Sequence, residues 1–178
     1  MSMNFLAISG SLRKASYNTA ALNALKILAP SNTNIIVFNK LAEIPLFNPD
    51  REGEIIPALE ELRTLLAKAD GLIISSPEYA HGISGVLKNS LDWLVGGFEF
   101  VNKPIMLINT SPRANIALNS LREVVKTMSG LIVESSCISV PLLGSGLNYQ
   151  EIVKHSELSV LLCAGLEEFS REVAKQKI

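Results

Sequence analysis

Between Ser9 and Asn18 the chain reads SGSLRKASYN, directly after the apolar run NFLAI. Three chemistries are open to such a stretch. It can be a polar turn in which Ser16 caps a helix and Arg13 is solvated. It can cradle a phosphate. The N-terminus of a following helix attracts anions through its unpaired N–H groups and its dipole. Ser9, Ser11 and Ser16 add hydroxyls, Arg13 can grip with two parallel hydrogen bonds, and Asn18 can hold the loop in shape. Finally, one of the serines can be a nucleophile. That role needs a histidine base and usually an acid to orient it. The chain holds only His81 and His155, and its only aspartates are Asp50, Asp70 and Asp92. Neither GxGxxG nor GxxxxGK[ST] is present, so a cradle here suits a terminal phosphate monoester rather than a dinucleotide or a Walker-type ligand.

A second polar stretch, SSPEYAHGISG (75–85), carries Pro77, Gly82 and Gly85, which set a rigid turn open to close approach. Tyr79 offers a flat face, and backbone amides near Glu78 and Tyr79 can bond the edge of a heterocycle. His81 is the one histidine in this stretch, with an exposed turn position as its plain alternative. Ser84 is placed to cap the next helix. Lys88 and Asp92 are four apart, the spacing of a surface ion pair. Trp93 fits core or a subunit contact. A third stretch, TSPRAN (110–115), contains Ser111 and Arg113.

These stretches must be positioned by the elements between them. NFLAIS (4–9), NIIVFN (34–39), GLIISS (71–76) and PIMLINT (104–110) are continuous apolar runs, the pattern of strands buried on both faces. A weaker fifth strand is predicted within 131–140. Helices are predicted over 18–28, 57–68, 84–94, 116–128 and 149–176, the last with a break near Gly165. Five strand–helix alternations predict an α/β fold with a parallel sheet of order 2-1-3-4-5 and helices on both faces. In that fold ligands bind beyond the carboxyl ends of the strands, at the switch between the first and third. That rule selects the loops 9–17, 76–83 and 110–115.

At 178 residues, 48% hydrophobic and 19% charged, the chain is read as one domain (1–178) with a substantial core. Its net charge of −1 gives no nucleic-acid footprint. No apolar run approaches the roughly 20 residues of a membrane span, and the N-terminus lacks a secretory pattern. Cys137 and Cys163 form no CxxC and fit reduced thiols in a cytoplasmic protein. No metal is expected.

GSLRKASYN (10–18) together with SPEYAHGISGVLKNSLDWL (76–94) resembles the NADPH-dependent FMN reductase family, flavodoxin-like quinone, chromate and azo-dye reductases. PLFNPD (45–50) fits as well. The resemblance covers most of residues 4–130 and implies a flavodoxin-like three-layer fold with bound FMN. It assigns the phosphate to Ser11, Arg13, Ser16 and Asn18, with Tyr17 contributing its backbone. It places Pro77, Glu78, Tyr79, Ala80 and His81 beside the isoalloxazine and Ser111 on the other side. It also implies hydride transfer from NADPH or NADH to flavin N5, then two electrons passed to a quinone, chromate, azo compound or free flavin by ping-pong kinetics. No side chain is assigned as catalytic, because the flavin carries the chemistry. Backbone N–H groups near Ser111 are expected to stabilise reduced flavin. Water, Tyr79 or His81 would supply protons. A homodimer or homotetramer is implied, with WLVGGFEF (93–100) as an interface patch. The sequence departs from the family pattern at Ala80, where a polar residue is common, at Ser84, where proline is common, and at 110–115, which lacks a glycine run.

The alternatives are few. A phospho-receiver needs acidic residues after the first and third strands, where this chain has SGS and SSPEY. A flavodoxin-type electron carrier is typically strongly acidic, unlike this chain. A flavin-binding regulatory domain remains open on sequence grounds.

Overall fold

The computed structural model describes residues 2–176; Met1, Lys177 and Ile178, which the one-domain reading includes, lie outside the described residues. Strands β1 (Met3–Ser9), β2 (Thr33–Phe38), β3 (Gly71–Ser75) and β6 (Pro104–Asn109) form a parallel sheet in the order β2-β1-β3-β6. The chain leaves β2 on one side of β1 and returns as β3 on the other, so the switch falls between β1 and β3, as expected. The fifth position is filled in two pieces. β7 (Leu131–Ile132) and β8 (Ile138–Ser139) both pair with β6, separated by a 3-10 turn at Glu134–Ser136. In the gap the Leu107 N–H points at the Cys137 sulfur, 3.4 Å away, instead of a strand carbonyl. A two-stranded antiparallel hairpin, β4 (Glu78–Tyr79) and β5 (Gly82–Ile83), is an element the sequence did not announce.

The continuous apolar runs are explained by burial on both faces. In β1, Leu6 and Ile8 point into one core while Met3, Phe5 and Ala7 point into the other. β6 divides in the same way, with Ile105 and Leu107 opposite Met106 and Ile108. Helices α2 (Pro57–Lys68), α3 (Gly85–Leu94) and α4 (Asn115–Thr127) supply the first core. Helices α1 (Tyr17–Leu28), α5 (Tyr149–Lys154) and α6 (Ser156–Lys175) supply the second. β2, at the sheet edge, is less covered: Asn34 and Ile36 are exposed, while Ile35 and Phe38 are buried in opposite cores.

Two predictions about helices are corrected. The C-terminal helix breaks at His155, not at Gly165: Asn148 and Glu151 form a capping box that opens α5, and His155 both ends it and caps α6. Gly165 sits inside α6 because the helix comes close to the sheet; a Cβ there would lie 2.9 Å from the Met106 methyl. Ser84 occupies the cap position of α3 but makes no capping bond. Trp93 is core: it is buried and its Nε1–H donates to Pro45 O at 2.8 Å. Lys88 and Asp92 pair at 2.6 Å. No helix among the described residues is long and apolar enough to cross a membrane.

Candidate functional site

β1, β3 and β6 all end at one edge of the sheet, and the three polar stretches follow them there. They enclose a cleft of about 400 Å³, within the range of about 300–1,000 Å³ usual for small-molecule and cofactor sites. Ser11, Arg13, Ser16, Tyr17 and Asn18 line one side, Pro77, Glu78, Tyr79, Ala80 and His81 another, and Ser111 a third. All eleven residues predicted from the sequence therefore meet in one concavity. Ser76, Thr110, Arg113, Ala114 and Leu143 complete the lining. Ser76, Thr110 and Ala114 lie in the stretches after β3 and β6 that the strand-end rule selects. Leu143 comes from the chain after β8, where the weak fifth strand gave no signal.

The first wall is built by local polar bonding. Ser16 is the N-cap of α1 and accepts from Thr19 N at 3.2 Å. The N–H groups of Tyr17 and Asn18, in the same first turn, have no intrahelical partner. Ser9 does not line the cleft, contrary to its reading as a further phosphate donor. Its hydroxyl bonds Thr19 Oγ1 at 2.8 Å and accepts from Ser11 N at 3.3 Å, so it braces the loop from beneath. Gly10 is required by space: a Cβ there would lie 2.6 Å from Ser76 Oγ and 2.8 Å from Ser84 Oγ.

Asn18 is buried and held from both neighbouring strands. Its Oδ1 accepts from Ser75 Oγ at 2.8 Å and from Thr110 Oγ1 at 3.0 Å. The Ser75 hydroxyl also lies 2.9 Å from the Ile108 carbonyl and has one proton for the two acceptors, so Thr110 is the donor that holds the amide oxygen, with the NH₂ group left for the cleft. Arg13 is exposed at the rim, with no carboxylate paired to it among the described residues. Unpaired first-turn N–H groups, a directed amide, serine hydroxyls and a free guanidinium together make a donor set that fits a phosphate monoester.

The second wall is held from a distance. The β4–β5 hairpin turns through Ala80 and His81, both with positive φ (48° and 59°). Tyr79 is half-exposed on this wall. The Glu78 carboxylate reaches across to α4: Oε2 accepts from Ala117 N at 2.9 Å, and Oε1 lies 2.9 Å from His81 Nδ1. The Ala117 N–H bond is the main reason the Glu78 carboxyl is held below its ordinary range, with His81 adding to it against the cost of burial.

The third stretch differs from expectation. Ser111 N donates to Asn109 Oδ1 at 3.1 Å, Arg113 N to Ser111 Oγ at 3.3 Å and Ala114 N to Ser111 O at 3.1 Å. Pro112 has no N–H. The backbone donors expected near Ser111 are thus already engaged, and this side offers the Ser111 hydroxyl and the Arg113 guanidinium instead.

A family model for NADPH-dependent FMN reductases matches residues 3–142. An NAD(P)H-dependent FMN reductase of Pseudomonas aeruginosa is 39% identical over 109 residues, 60% of this chain and 58% of that protein. An NADPH azoreductase of a Bacillus species is 32% identical over 62% of this chain and 61% of its own length. A 2-hydroxy-1,4-benzoquinone reductase of a Burkholderia species is 35% identical over 130 residues, 70% of each chain. The match thus spans about three fifths of the length of the first two relatives. Among solved structures, a flavoenzyme NAD(P)H:acceptor oxidoreductase from Paracoccus denitrificans shares the fold with a TM-score of 0.72, at 20% identity over 95% of this chain and 98% of that one. The matched span runs from β1 through all three stretches that line the cleft, and on that span the chain belongs to the NADPH-dependent FMN reductase family.

Proposed function

We propose that the chain, read as one FMN-binding domain over 1–178, is an NAD(P)H-dependent FMN reductase. It would pass two electrons to a small acceptor such as a quinone, chromate, an azo compound or free flavin. The observation that carries this reading is the convergence of all eleven expected residues on one cleft at the carboxyl ends of β1, β3 and β6. Bound FMN would supply the hydride-accepting and electron-donating chemistry. The protein's tasks are then binding, orientation and charge.

Ser11, Ser16, the first turn of α1 and the Asn18 amide would hold the phosphate, with Arg13 as its charge partner. Pro77 and the hairpin would border the ring on one side, with Ser111 and Arg113 on another. Arg113, rather than the engaged backbone of its loop, would balance negative charge that develops in the cleft. Tyr79 and His81, both exposed at the cleft, stand where they could pass protons to a quinone. Unchanged turnover in His81→Gln would remove the histidine from that role.

The reading carries with it a cytoplasmic location and a homodimer or homotetramer. Within 93–100, Phe98 is 89% and Val95 63% exposed, while Trp93, Leu94 and Phe100 are buried. Light scattering tests the oligomer, and a monomer would refute it. The deciding experiment reconstitutes the purified protein with FMN and mixes it anaerobically with NADPH or NADH. The flavin absorbance should bleach and return on addition of a quinone, with parallel double-reciprocal plots in steady state. A protein that neither binds FMN nor bleaches it overturns the reading. A flavodoxin-type carrier would bind FMN but oxidise almost no NAD(P)H.

A further inference from the structure

α4 begins without a cap of its own. Its N-cap residue is Ala114, which has no side-chain acceptor, and no acidic residue lies in its first turn. A first-turn N–H without a partner is costly when buried, and Ala117 is buried. The acceptor comes from 39 residues away, from Glu78 on the hairpin. The other oxygen of the same carboxylate bonds His81 at the tip of that hairpin. One side chain therefore spans the hairpin turn and the N-terminus of α4.

Both ends of this span border the cleft. Glu78, Tyr79, Ala80 and His81 line it on one side, and Ser111, Arg113 and Ala114, immediately before α4, line it on another. The turn it braces contains two consecutive non-glycine residues in the left-handed region, a conformation that L side chains disfavour without support. The Glu78 side chain is 12% exposed, directed into the structure rather than to solvent.

We propose that Glu78 is a positioning residue: its carboxylate ties the 78–83 hairpin to the N-terminus of α4 and so sets the separation of two cleft walls. This rests on the FMN-reductase reading and assigns the Glu78 side chain to the protein scaffold. Its backbone remains the part that faces the cofactor.

The test compares wild type, Glu78→Gln and Glu78→Ala, using FMN affinity by fluorescence titration and amide hydrogen exchange at Ala117 in the FMN-free protein. Glutamine keeps an acceptor for Ala117 N and a polar group for His81; alanine keeps neither. In Glu78→Ala the Ala117 amide should exchange faster and the FMN Kd should rise about tenfold, the scale of one lost charge-assisted hydrogen bond. Glu78→Gln should stay near wild type in both. Should the alanine variant fail to fold, Glu78→Asp, one methylene too short to reach Ala117 N, carries the same comparison. An unchanged Kd in the variant that loses the bond would reduce Glu78 to a helix cap and overturn the proposal. So would a glutamine variant as weak as alanine. Wild-type protein that binds no FMN would instead refute the functional reading, while the exchange experiment would still report on the strut.

Discussion

The walls at 9–18 and at 76–83 face the same cleft and are stabilised in opposite ways. In the first, short-range bonds build the turn, Ser9 to Thr19, Ser11 N to Ser9, and Thr19 N to Ser16, and Gly10 and Asn18 tie it at several points to Ser75 and Thr110. In the second, the turn bends through two left-handed residues, and its anchor lies 39 residues away in α4. A loop bonded at many points keeps its shape with the cleft empty and can present donors to a fixed anion. A wall whose one carboxylate is anchored on a distant helix depends on the packing of that separate element. The first wall should therefore govern how tightly the phosphate is held, and the second how the cleft is shaped.

The sharpest way to break that division is Arg13→Ala. Arg13 is exposed and braces nothing, so its loss should leave the melting temperature of the FMN-free protein unchanged. FMN binding should weaken by about 1.5–3 kcal/mol if the guanidinium grips the phosphate. An unchanged FMN Kd would return Arg13 to a solvated charge and leave the serines and the α1 N-terminus to hold the anion alone.

Asn18 joins the first wall to the sheet, so its variants separate scaffold from ligand. Asn18→Ala removes the acceptor of the buried Thr110 hydroxyl and one of the two open to Ser75, which keeps the Ile108 carbonyl at 2.9 Å. Leaving such groups unsatisfied costs about 1–3 kcal/mol, or roughly 2–4 °C in melting temperature per kcal/mol at this chain length. Asn18→Asp keeps both acceptor bonds but replaces the cleft-facing NH₂ group with an anionic oxygen. It should retain stability better than alanine and lose FMN. Equal FMN affinity in Asn18→Asp and wild type would show that the amide does not face the phosphate.

The second wall makes its own prediction in pH. The folded-state carboxyl of Glu78 lies below its ordinary value of 4.5, chiefly through the Ala117 N–H bond. A lowered acidic pKa contributes stability above the unfolded value, and that stability is lost as pH falls through the folded one. Wild type should therefore melt higher than Glu78→Gln near neutrality, and the gap should narrow once the pH drops below about 4.5. A gap that holds constant into strong acid would mean that the charge on Glu78 contributes nothing to the strut.

The same contrast decides what could be read from the sequence. The sheet order was legible because β1, β3 and β6 are apolar on both faces, which continuous runs such as GLIIS announce directly. The first wall was legible because the polar residues that line it, Ser11, Arg13, Ser16 and Asn18, lie within one short window, although the bonds that tie Asn18 to Ser75 and Thr110 do not. Ser9 was misjudged because a serine bonding ligand and a serine bonding Thr19 look alike in one dimension. The engaged backbone of 111–114 was missed because Asn109, whose side chain takes the Ser111 N–H, reads only as the end of a strand. The Glu78–Ala117 bond, and the Tyr17 hydroxyl that accepts from Gly146 N across 129 residues, exist only once the chain is folded. The fifth strand was weak in sequence because it is weak in the fold, two residues on either side of a turn.

Ser84 lies where the two walls meet, beside Gly10, and offers the smallest test. Its Oγ is buried with no hydrogen-bond partner and it caps nothing, although it begins α3. Its backbone, at φ −57° and ψ 138°, is a conformation proline adopts without strain. Ile83 before it is in β5, the extended geometry that a following proline requires. The Ser84 carbonyl still accepts from Lys88 N at 3.0 Å, a bond that proline preserves. Ser84→Pro should therefore stabilise the protein by about 0.4–1 kcal/mol by restricting the unfolded chain, with a further gain from removing an unsatisfied hydroxyl. FMN affinity should not change, because the substitution touches neither the phosphate donors nor the Glu78 strut. A lower melting temperature would mean that the hydroxyl is satisfied in solution by a buried water. The junction of the two walls would then be a hydrated contact that the first wall depends on, not a dry seam between independently braced halves.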